Sequence, residues 1–317
     1  MLGWLARWIE ANRAGAWSRS TIRNTWNWAR RFARFLRRQY RIDSLEQLTP
    51  TALQAYREDR LMGLALSSQN REMSYLVSFF RWCVDQGLLL SSPVAGWRYF
   101  DLPLPALRLL LPAQIQAVLR AIDTRTPDGI QDRALVETFY ATAMRLSELT
   151  ALDLHDVDLR LGTVWIRHGK GDKGRLLPLI PSALWWIGHY LKQGRGPLVK
   201  SPVCQALFIG KAGGRISPAH VHRLMKRLRR LTGVEPLSSH TLRHSCATHL
   251  MEADVPLPYI QAFLGHSQIS TTQRYLHLLD PQLKQNYNAA HPRDKWAVAV
   301  QCPEYEKMPC ISPLPPV

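Results

Sequence analysis

The segment STIRNTWNWARRFARFLRRQY (20–40) separates into two kinds of position. Ile22, Trp26, Ala29, Phe32, Ala33 and Leu36 recur at helical spacing, which predicts a helix with one face turned to a core. Arg23, Arg30, Arg34, Arg37 and Arg41 recur at intervals of seven, four, three and four on another face. Ser20 or Thr21 offers a hydroxyl to cap the start. A second helix is expected after Thr49-Pro50, where threonine caps and proline takes the first turn. A third is expected over 68–86, stopping at Gly87. Residues 1–92 therefore read as helical throughout.

Four prolines (Pro93, Pro103, Pro105, Pro112) then interrupt the pattern, and 93–112 reads as an extended linker between domains. Helices are expected near 113–122 and 129–142. GTVWIRHGKGDKGRLLPL (162–179) alternates like two short strands around a glycine-rich turn, a β-hairpin with Lys170 at its tip. A helix from Ser217 has Val221, Leu224, Met225 and Leu228 on one face and Arg223, Lys226, Arg227 and Arg230 on the other. Further helices are expected near 240–253 and 256–264, then a short one carrying Tyr275. Beyond Pro292 there is no periodicity, and 294–317 reads as a disordered tail. The fold class is mainly α with a small antiparallel β-sheet.

Charge changes the picture next. The chain has 317 residues and a net charge of +17, from 41 basic against 24 acidic side chains, which points to an extended polyanion such as nucleic acid. The first 92 residues use arginine and no lysine, which suits bidentate phosphate contact; a merely solvated basic face is the alternative. Five scattered cysteines form no CxxC pair, so neither a disulfide framework nor a cysteine zinc site is indicated. The N-terminus has no continuous apolar core, and the most apolar stretch, LLPLIPSALWWIGHYL, is broken by Pro178 and Pro181. The expectation is a soluble, cytoplasmic protein with no membrane contact.

HTLRH (240–244) allows two chemistries. His240 and His244 are one helical turn apart, as zinc-binding histidines are. Against a metal, Thr241 stands where a zinc protease needs its glutamate, and Arg243 would set a permanent charge beside the dication. An anion held by His240 and Arg243 fits these residues better. No metal and no cofactor are expected.

Four segments read in order narrow the anion: ATAMRLSELTAL (141–152), HGKGDKGRLLPL (168–179), HTLRH, and LGHSQISTTQRYLH (264–277). In these the chain resembles the tyrosine recombinase, or phage integrase, family, and its Xer-type members most. The resemblance runs from about residue 18 to NAAHPR (288–293), a string like the C-terminus of XerC-type members. Ala143 stands where many members have glycine.

The resemblance implies a SAM-like helical N-terminal DNA-binding domain (1–92) and a catalytic domain (113–293) that close around duplex DNA. It implies Arg145 and Arg243 as the cations on the scissile phosphate, His240 and His266 as hydrogen-bond donors to it, Lys170 as general acid and Tyr275 as nucleophile. Strand exchange would pass through a 3′-phosphotyrosyl ester and a Holliday junction, on four protomers of this chain or of this chain and a second recombinase. Each residue has a plainer alternative. Arg145 can pair with Glu148, Lys173 and Arg175 compete with Lys170, and Tyr275 can be an ordinary aromatic like Tyr259 and Tyr287. His244 and His249 are expected to pack or to support the site. A type IB topoisomerase or a non-catalytic DNA-binding regulator are the rival functions. With cations supplied by side chains, DNA cleavage is expected to persist in EDTA; loss on chelation, restored by zinc, would favour histidine ligands instead.

Overall fold

A computed structural model of the protein describes residues 1–13, 17–102, 109–167, 174–253, 255–265 and 291. The chain divides into two compact units, Met1–Ala106 and Leu107–Val317.

The first unit contains α1 (Leu2–Arg13), α2 (Arg19–Tyr40), α3 (Pro50–Ala55), which runs on into a wider π-helical turn (Tyr56–Leu61), and α4 (Leu66–Asp85). Aromatic side chains fill its centre. Trp8 meets Trp28 edge-on at 6.0 Å between centroids, and Phe32 meets Tyr56 at 4.8 Å. Such pairs add to the stabilisation that burying their area already provides. An acid is buried here with partners: the Glu72 carboxylate accepts from Tyr56 Oη at 2.7 Å and from Arg31 at 2.6 Å.

The arc that α2 buries is shifted from the one its spacing suggests. Ala29, Phe32 and Leu36 are buried as expected, together with Thr25, Trp28 and Phe35, while Ile22, Trp26 and Ala33 lie at the edge of the core. Arg23, Arg30, Arg34 and Arg37 are exposed. Arg41 leaves the row, because it caps the helix in a left-handed conformation (φ 55°) and donates its N–H to the Arg37 carbonyl. The N-cap is Ser18, whose hydroxyl accepts from the Thr21 N–H at 3.1 Å, and not Ser20 or Thr21. Thr49 caps α3, and proline opens it, as expected.

The second unit begins with α5 (Pro112–Arg120) and α6 (Pro127–Thr142). Nearly every residue of α6 from Gly129 onward is buried, so it is the central helix, covered on all sides. Then come α7 (Leu146–Ala151), β1 (Val157–Asp158), β2 (Thr163–Ile166) and β3 (Arg175–Pro178). The sheet is antiparallel in the order β1-β2-β3, with Val157 opposite Val164 and Ile166 opposite Arg175. The expected hairpin is therefore present, with a third strand too short to leave a period in the sequence. Next follow α8 (Pro181–His189), α9 (Arg195–Leu198), α10 (Pro218–Thr232), α11 (Ser239–Glu252) and α12 (Leu257–Leu264). Val221, Leu224, Met225 and Leu228 of α10 are buried, as their spacing predicts. No helix among the described residues is long and apolar enough to cross a membrane.

The Ser18 cap gives a direct comparison. Ser18→Ala is expected to lower unfolding stability by about 1 kcal/mol, and Ser20→Ala by less, as read by urea denaturation of the full chain.

Candidate active site

Arg145 stands at the N-cap of α7, and its helix start is closed by Glu148 three residues on. Glu148 Oε2 accepts the Arg145 backbone N–H at 2.7 Å, and Oε1 accepts Arg145 Nη1 at 2.8 Å. The same carboxylate receives a second guanidinium, this one as a two-nitrogen fork. Arg175 Nη1 donates to Oε1 at 3.0 Å and Nη2 to Oε2 at 2.7 Å. Both side chains of that pair are almost fully buried, at 2% and 3% exposure. This overturns Arg175 as a rival general acid: it is buried and committed to a carboxylate. The plainer reading of Arg145 as a partner of Glu148 describes a real contact, yet the side chain stays 27% exposed.

Arg243 reaches the same place from α11. It donates Nη1 to the Ala143 carbonyl and Nη2 to the Leu264 carbonyl, the latter at 2.7 Å. Arg145 Nη2 donates to the Gly265 carbonyl at 2.9 Å, and Arg175 Nε to the Phe263 carbonyl at 3.1 Å. Three arginines from distant parts of the chain thus hold three successive carbonyls at the end of α12. Gly265 is required there, since its φ is +65° and a Cβ would lie 2.9 Å from Arg175 Nη1. Ala143 also adopts a left-handed conformation (φ 44°), at the end of α6. A glycine there would relieve strain, so alanine at this position has a backbone cost.

Burial and then the neighbouring Arg145 charge lower the Arg243 pKa to about 10, which leaves it charged at neutral pH. Burial works against the charge on Glu148 as well. The hydrogen bonds and charges of Arg175 and Arg145 outweigh it and hold the carboxyl below its ordinary value. Three cations share one anion, and such an excess in a partly dry setting favours an added anion.

His240 is exposed on the first turn of α11. His244 is also exposed, so of the two roles expected for it packing is not observed, whereas His249 is buried and bonds to Tyr140 Oη at 2.8 Å. Tyr259 is 44% exposed, an ordinary half-buried aromatic of α12 as expected. Lys170, Lys173, His266, Tyr275 and Tyr287 lie outside the described residues, as does the tail 294–317. Among the described residues one trio, Asp153, His155 and Asp156, is close enough to share a metal ion. Arg167 meets both of its carboxylates and Arg215 meets Asp153, so the trio is an ion-pair cluster. On the outer face of α10, Arg223, Lys226 and Arg230 are exposed, while Arg227 is paired with the buried Asp132.

Residues 108–281 match the phage integrase family, and residues 4–88 match the phage integrase N-terminal SAM-like domain. The chain belongs to the phage integrase family. It is 35% identical over 239 residues to tyrosine recombinase XerC 2 of Ralstonia nicotianae, covering 75% of this chain and 69% of that one. It is 39% identical over 241 residues to tyrosine recombinase XerC of Salmonella typhi, covering 74% and 77%. Its fold is similar to that of a lambda integrase dimer bound to a COC′ core site (TM-score 0.65, 19% identity, 84% of this chain and 94% of that one). It is also similar to XerH site-specific recombinase bound to its difH substrate (TM-score 0.61, 19% identity, 89% and 95%). This member of the family is thus a tyrosine recombinase of Xer type.

Because the folded pKa of Glu148 lies below the unfolded one, its contribution to stability is complete above the unfolded value and is lost as pH falls through the folded value. The melting temperature of Glu148→Gln should therefore trail that of the wild type most at neutral pH. The gap should narrow as pH is lowered from about 6 to about 3.

Proposed function

We propose that this recombinase cleaves and rejoins duplex DNA at specific sites, with Tyr275 as nucleophile and Arg145 and Arg243 as the cations on the scissile phosphate. The observation that supports this most is the convergence of the two arginines. From positions 98 residues apart, they bind the adjacent carbonyls of Gly265 and Leu264, immediately before His266.

The chemistry follows from charge. The Tyr275 oxygen attacks phosphorus, the bond to the 5′ oxygen breaks, and a 3′-phosphotyrosyl ester forms. In between, phosphorus is five-coordinate and its non-bridging oxygens carry added negative charge. Guanidinium forks are permanent cations shaped for such oxygens. His240, exposed on α11, and His266 donate hydrogen bonds to the same oxygens. Lys170 gives its proton to the departing 5′ oxygen, as general acid. An ordinary tyrosine has a pKa near 10, and two cations beside the phosphate ease the loss of its proton. The ester conserves the bond energy, so a new 5′ hydroxyl can reverse the step without a nucleotide cofactor. Strand exchange between two sites then proceeds through a Holliday junction on four protomers, of one kind or two. The exposed arginines of α2 and the basic face of α10 bind the DNA backbone.

Tyr275→Phe removes only a hydroxyl, so it is expected to bind DNA normally and to form no covalent adduct on a nicked suicide duplex. Arg243→Ala keeps the nucleophile and loses one charge donor, so adduct should form roughly 10²- to 10³-fold more slowly. An adduct from Tyr275→Phe would place the nucleophile elsewhere. No adduct from the wild type on any bound site would make the protein a DNA-binding regulator.

A further inference from the structure

We infer that Arg175 is a positioning residue for DNA cleavage, acting through Glu148 and the end of α12 rather than on the phosphate. The inference rests on the catalytic reading of Arg145 and Arg243 given above.

Arg175 opens β3, opposite Ile166, with its side chain 2% exposed. Its three hydrogen-bonding nitrogens are all used: Nη1 and Nη2 on the two oxygens of Glu148, and Nε on the Phe263 carbonyl. Each partner leads to a different clamp arginine. The Glu148 carboxylate also takes Arg145 Nη1 and the Arg145 backbone N–H, so fixing its plane fixes the direction from which Arg145 is held. The Phe263 carbonyl directly precedes the Leu264 and Gly265 carbonyls that receive Arg243 and Arg145. A single planar fork thereby sets both contacts in one register. Lysine cannot copy this, because a point charge lacks the second parallel donor and the Nε donor. It would keep Glu148 neutralised while releasing either the carboxylate plane or the Phe263 carbonyl. Reactivity of this kind is steep in distance, since displacing reacting groups by about 1 Å costs on the order of 10²-fold.

The test uses Arg175→Lys in the full chain, on nicked duplexes carrying sites enriched by wild-type binding from a random-sequence library. Intact-duplex affinity is expected to change by less than about twofold, while the rate of adduct formation at saturating DNA falls by at least about tenfold. Val118→Ala, in a helix that supplies no side chain to this network, should lower the melting temperature without slowing adduct formation in the folded protein. That control separates positioning from general loss of stability. Should Arg175→Lys not fold, Gly265→Ala carries the test, because its Cβ would displace the Arg175 guanidinium from the other side; the same division between binding and rate is expected. Adduct formation at the wild-type rate, or a loss traced entirely to weaker DNA binding, overturns the inference. A wild type that forms no adduct overturns the catalytic reading itself and this inference with it.

Discussion

The carboxylate of Glu148 is what allows three guanidinium groups to occupy one region of the catalytic unit. Without it, Arg145, Arg175 and Arg243 would repel one another in a setting where burial already penalises charge. Glu148 neutralises one equivalent of that charge and leaves two. Its oxygens accept a buried fork from Arg175 and a single guanidinium N–H from the partly exposed Arg145, so part of the cluster serves the fold while the rest stays open to solvent. A buried carboxylate that loses its arginines, or arginines that lose it, is left as an unmatched charge, and this makes the arrangement cooperative rather than a sum of pairs.

The N-terminal unit handles charge differently. Seven of its fifteen arginines belong to α2, which packs on an aromatic core, and Arg31 among them is drawn toward the buried acid Glu72. The arginines of the second unit are largely spoken for: Arg167 and Arg215 on Asp153, Arg227 on Asp132, Arg175 on Glu148. The count of 41 basic residues therefore overstates how much of the basic surface is free to meet a polyanion, and the net charge of +17 is the better guide because it already cancels each pair. Position, more than number, decides which arginines remain available.

Where a single period dominated, the fold was legible in the sequence. The buried face of α10 and the hairpin of β2 and β3 followed from spacing, and proline with threonine marked the start of α3. On α2 the apolar residues cover so wide an arc that several stripes fit equally well, and spacing alone chose one displaced from Trp28 and Phe35. Ser18 lost out as the cap because its neighbours Ser20 and Thr21 are chemically equivalent in a linear reading. Arg175 was misjudged because arginine beside a lysine-rich turn suggests exposure. Strand parity held the corrective signal, since 175 and 177 face the same way and Leu177 belongs to the core. The meeting of Arg145 with Arg243 was legible only through the family resemblance, because nothing in local spacing brings α7 and α11 together.

The strained turn at Ala143 has a bearing on motion. An alanine in the left-handed region costs roughly 1–2 kcal/mol relative to a relaxed backbone, yet the methyl also forbids many conformations that glycine would sample. The carbonyl that seats Arg243 on that side is accordingly carried by a stiff joint. Across the cluster the corresponding joint is Gly265, whose backbone keeps glycine's latitude. The two seats are thus unequal: at Ala143 the backbone itself has few alternatives, whereas at Gly265 the setting depends on the arginines packed against it.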